Sequence, residues 1–132
     1  MTKKLIALLI ITLTPVPAVQ GAESLYSQVY EHCMETSEGI NSNMRDCIEA
    51  ERVRLDKELN SAYKELMKLL DKDSQEKLRQ AQHSWLKYRE LNGVYIWGSR
   101  DGTMASLIAN SWMLEELAER VQFLRDERAA LE

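Results

Sequence analysis

Seven side chains carry the best case for chemistry in this sequence. Asp56, Asn60 and Tyr63 stand in one stretch, and Gln82, Trp85, Tyr88 and Arg89 in another. Asp56, Asn60 and Tyr63 are spaced i, i+4, i+7, which puts them on one helix face. The second set also falls at helical spacing, together with Leu78 and Ala81. A carboxylate, two amides, a guanidinium and three amphipathic aromatics are suited to holding something. They supply hydrogen bonds, a charge-assisted pair and stacking surfaces. Where an ordinary helix stripe is aliphatic, these two are mixed, and polar groups buried in them need partners.

Bond-breaking chemistry has much weaker support. No Ser-His-Asp or Cys-His order stands out, and no glycine-rich loop cradles a phosphate. The chain has only two histidines, His32 and His83, and two cysteines, Cys33 and Cys47. There is no C-x-x-C, so a redox or zinc pair is disfavoured. The expectation is a non-enzymatic chain with no cofactor and no metal.

The elements that position these residues read as helices throughout. A short helix is expected from Ala22 to about Glu35. A turn-rich loop, Thr36 to Asn43, follows, with capping residues at its end. A long helix runs from Met44 to about Leu70, with Cys47, Ile48, Leu55, Leu59, Ala62 and Leu66 inward. Glu51, Arg52, Arg54 and Glu58 are assigned to its solvated face. A turn near Lys72, capped by Asp73 or Ser74, leads into a third helix to about Trp97. The last helix spans Thr103 to about Arg128, with Met104, Leu107, Ile108, Trp112, Leu114, Leu117, Val121 and Leu124 inward and a fraying end. There is no strand pattern and no repeat. The predicted fold is all-α: a small antiparallel helical bundle built on a long helical hairpin, with one disulfide.

Counting outward from a turn at Lys72 brings Arg89 level with Asp56. Asn60 then comes near Trp85, and Tyr63 near Gln82. The primary reading is a network that fixes helix register, with an Asp56–Arg89 ion pair and an Asn60–Gln82 amide bond. The alternative is a cleft whose partner comes from outside the chain.

Residues 1–21 read as a secretory signal peptide. Lys3 and Lys4 precede an apolar run from Leu5 to Leu13, and Val19-Gln20-Gly21 suits cleavage before Ala22. The run is too short to span a membrane. Residues 22–132 are then a single exported domain, periplasmic or secreted. Export permits a Cys33–Cys47 disulfide. Without Lys3 and Lys4, 15 basic side chains face 21 acidic ones, a net charge of −6. Nucleic acid is therefore an unsuitable partner, and a basic partner would be steered toward the domain.

Four blocks together resemble the LprI-type lysozyme inhibitor family of secreted helical domains. They are Cys33 with Cys47; Asp56-x-x-Leu59-Asn60-x-x-Tyr63-x-x-Leu66; Leu78-Arg79-x-Ala81-Gln82-x-x-Trp85-x-x-Tyr88-Arg89-Glu90; and Gly102-Thr103-Met104 with Arg120 further on. The resemblance covers roughly residues 30–125. Members often carry a second cysteine pair, at places that here hold Gly93 and Trp112, with the bulky Trp112 expected to fill the gap. The resemblance implies a helical, protein-binding domain, in some members an inhibitor whose partner is a basic c-type lysozyme. It assigns no inhibitory residue here. The competing reading is a structural or assembly factor of the envelope that binds another protein or peptide.

Overall fold

A computed structural model describes residues 24–132 as four helices. The signal-peptide reading at 1–21 lies outside the described residues. The helices are α1 (Gln28–Thr36), α2 (Asn41–Leu69), α3 (Lys72–Gly98) and α4 (Met104–Leu131). No strand occurs among the described residues, and Cys33 is bridged to Cys47, as expected.

Local chemistry sets the helix ends. The Ser27 hydroxyl accepts the Tyr30 N–H at 3.1 Å and starts α1. Glu38 and Gly39 both take positive φ, 54° and 71°, to turn the chain toward α2. No side-chain cap forms at the start of α2, contrary to expectation. Asp71 caps α3, its carboxylate accepting the Ser74 N–H at 2.8 Å. The cap is thus earlier than the expected Asp73 or Ser74, and the α2–α3 turn is tighter. Gly102, at φ 79°, makes the turn into α4. That helix does not fray where its charges alternate; it continues to Leu131, where Arg128 pairs with Glu132 at 2.8 Å.

Packing is centred on α4. It lies along α2 over most of its length and along α3 less extensively, while α1 rests on α2. The hairpin helices α2 and α3 make no comparable contact with each other. The core is therefore a seam between α2 and α4: Ile48, Leu55, Leu59 and Leu66 meet Leu107, Leu114, Leu117, Val121 and Leu124. Leu55, Leu114, Leu117, Val121 and Leu124 are fully enclosed. Truncating any one of these leucines to alanine costs about 2–5 kcal/mol by the usual cavity rule. By contrast α3 buries only Gly93, and Leu78 and Trp85 pack on the core's margin. Met104 and Ile108, expected inward, are 46% and 38% exposed, because Ala105, Leu107 and Ala109 carry the buried side of α4 at its start.

Glu51 also departs from expectation. It is 3% exposed and clamps α1 to α2. Its carboxylate accepts the Ser27 N–H and hydroxyl, both at 2.8 Å, and two bonds from Arg54, at 2.9 and 2.6 Å. Burial alone would push its carboxyl up; the Arg54 and Ser27 hydrogen bonds outweigh this and hold it below its usual value.

Candidate functional site

The mixed faces of α2 and α3 flank an open groove. Asp56, Asn60 and Tyr63 line one wall, and Arg79, Gln82 and His83 the other, around a space of about 390 Å³. Leu59 and Leu86 supply its apolar patches. The cross-helix network expected from level counting does not form.

Asp56, Asn60, Gln82 and Arg89 find partners elsewhere. Asp56 is paired with Arg52, one helical turn before it on α2. The Asn60 amide donates to the Asp56 carbonyl at 2.9 Å, a bond within its own helix. Gln82 accepts from Arg120 Nε of α4 at 2.9 Å, not from Asn60. Arg89 donates from Nε to the Met113 carbonyl at 2.8 Å. The physical reason is that α3 packs on α4 and makes no comparable contact with α2. With the break at Leu70–Asp71, Arg89 stands level with Arg52, and the two line one cavity.

Trp85 is the pivot of the α3–α4 contact. The guanidinium groups of Arg89 and Arg120 each lie 5.6 Å from its ring centre. Arg120 also lies 4.8 Å from the Phe123 ring. Such guanidinium–aromatic contacts hold long side chains in one conformation. Burial pulls both guanidinium groups below their usual value, and one terminal nitrogen of Arg120 is buried with no partner among the described residues. Burial likewise pushes the nearby Glu116 carboxyl up, with Glu119 adding to it. Tyr88 is half exposed and meets Trp112 edge to face, ring centres 6.0 Å apart. Trp112 therefore does not cover Gly93. The side chain over that glycine is Met113, whose sulfur would lie 2.5 Å from an added Cβ.

Residues 33–124 match the family model described as Lysozyme inhibitor LprI. The chain belongs to this family. The match takes in the disulfide, both walls of the groove and nearly all of the α2–α4 core. No curated protein and no solved structure matches the chain significantly. Membership in the LprI family indicates a protein-binding domain. No helix among the described residues is long and apolar enough to cross a membrane. None of their His, Cys, Asp and Glu side chains gather in a group of three that could hold a metal ion.

Arg45, Arg52 and Met113 escape reading from sequence. The two arginines sit amid ordinary i, i+3 and i, i+4 charge patterns. Only the coordinates tell which guanidinium is spent on a neighbour and which is not.

Proposed function

We propose that this chain is an exported, non-enzymatic domain that binds a basic c-type lysozyme and inhibits it in the periplasm or outside the cell. The observation that carries this reading is the LprI match over residues 33–124. The export pattern of residues 1–21 and the net charge of −6 on the remainder support it. An acidic domain attracts a strongly basic enzyme and speeds encounter, with a dependence on salt.

The surface that suits a protein partner is the outer side of α3. Leu91, Val94 and Tyr95, at i, i+3, i+4, share one face and are 55%, 61% and 68% exposed. Beside them Val94 and Trp97 border a mostly apolar groove of about 320 Å³ against Ala109 and Met113 of α4. Apolar residues clustered in this way mark interaction surfaces, and aromatic anchors dominate binding energy. The occupant is the lysozyme, whose positive charge complements the acidic domain around the patch.

Titration calorimetry of the protein with a c-type lysozyme tests this. Binding that weakens as salt rises, and that Tyr95→Ala or Trp97→Ala weakens by about 2 kcal/mol or more, is the expected result. No heat of binding at low salt would refute the reading.

A further inference from the structure

A second cavity, which shares Asn110 and Met113 with the apolar groove beside α3, lies where α2, α3 and α4 converge. Its volume is about 170 Å³, and Arg45, Arg52 and Arg89 reach it together with Asn110. Ile48 and Leu114 form an apolar floor, 3% and 1% exposed. Three guanidinium groups in one small cavity are unexpected in an acidic chain.

The three are not equivalent. Arg52 is committed: it holds Glu49 through two bonds, at 2.8 and 2.6 Å, and pairs with Asp56 as well. Arg89 spends only Nε, on the Met113 carbonyl. Its two terminal nitrogens, and the guanidinium of exposed Arg45, have no carboxylate partner among the described residues. Arg89 is also partly withdrawn from water, and an unpaired charge in that position is costly unless something compensates it. Glu49 lines the same cavity and Asp56 also holds Arg52, so three positive charges against two negative leave a net +1. That suits one negative charge better than two. A planar guanidinium fork matches a carboxylate through paired N–H···O bonds. At roughly 30 Å³ per water-sized group, the cavity takes a ligand of about five heavy atoms.

We propose that this cavity binds a single carboxylate carried on a short apolar group, with Arg45 and Arg89 gripping the oxygens, Asn110 at the side and the apolar tail on Ile48 and Leu114. Two sources present that chemistry: a free small acid, or the C-terminus of a short peptide entering past the exposed rim of Arg45 and Asn110. The site adjoins the apolar groove proposed for lysozyme, since Asn110 and Met113 line both.

The test is an NMR titration of the disulfide-bonded protein with propionate, with the dipeptide Ala-Ala, and with Ala-Ala amide. Binding of propionate or Ala-Ala that moves the Arg89 Nε–H signal and the amides around Asn110 and Leu114 supports the site. Response to Ala-Ala alone assigns it to a peptide C-terminus, and response to propionate alone to a free acid. Arg45→Gln, at an exposed position that leaves the fold intact, should weaken binding about tenfold, as befits one lost charge-assisted hydrogen bond. Three results overturn the proposal: no response to either acid at millimolar concentration, an equal response to the amide, or unchanged affinity in Arg45→Gln.

Discussion

Arg89 donates its Nε–H to the Met113 carbonyl at 2.8 Å and forms no ion pair with Asp56. Together with the Gln82–Arg120 bond, this contact ties α3 to α4 rather than to its hairpin partner. Asp56 is satisfied on its own helix by Arg52. The two residues should therefore act almost independently. In a double-mutant cycle of Asp56→Ala and Arg89→Ala, followed by urea unfolding, the coupling should be below about 1 kcal/mol. Arg89→Ala alone should cost about 1–2 kcal/mol through the lost bond to Met113 and the lost contact with Trp85. A coupling near 3 kcal/mol, the size expected for a buried pair, would contradict this arrangement.

Glu51 makes stability depend on acid. Its folded carboxyl lies below its usual value, so the unfolded chain binds the proton more readily. The contribution is fully present above the unfolded value, near pH ~4.3, and is lost as pH falls through the folded value. Glu51→Gln should lower stability at pH 7 by about 1–3 kcal/mol and flatten the decline below pH ~4.3. Melting curves of both proteins from neutral to acid pH will show it. Parallel declines would assign the acid sensitivity elsewhere.

The Cys33–Cys47 bridge anchors α1 to the start of α2. Reduction, or Cys33→Ser with Cys47→Ser, should cost about 2–4 kcal/mol by the loop-entropy account. Loss of α1 should precede loss of the core, since α1 buries none of its residues. Hydrogen exchange of the reduced protein should show early exposure of residues 28–36, with the α2–α4 core still protected. Simultaneous exchange of both would mean that α1 is integral to the core.

Helix count, helix type and the bridge were readable because they rest on local signals: period, caps and a lone cysteine pair. Leu55, Leu59 and Leu66 on α2, and Leu114, Leu117, Val121 and Leu124 on α4, repeat at helical spacing and are buried where that spacing puts them. The partner of each helix was less legible. Two long helices joined by a short turn suggest mutual packing, but α4 offered the larger apolar stripe and took the contact with both. Glu51 misled because a glutamate flanked by arginines looks solvated; its burial depends on Ser27, 24 residues away in sequence. The groove residues Asp56, Asn60, Tyr63 and Gln82 were identified together and do face one groove, yet their partners hinged on α3 packing against α4.

Turbidity clearance of a cell-wall suspension by a c-type lysozyme tests the central claim most directly. With the purified protein at micromolar concentration and low salt, clearance should slow in proportion to the protein added, and raising the salt should weaken the effect. Unchanged clearance at both salt concentrations would contradict the assignment of this chain as a lysozyme inhibitor.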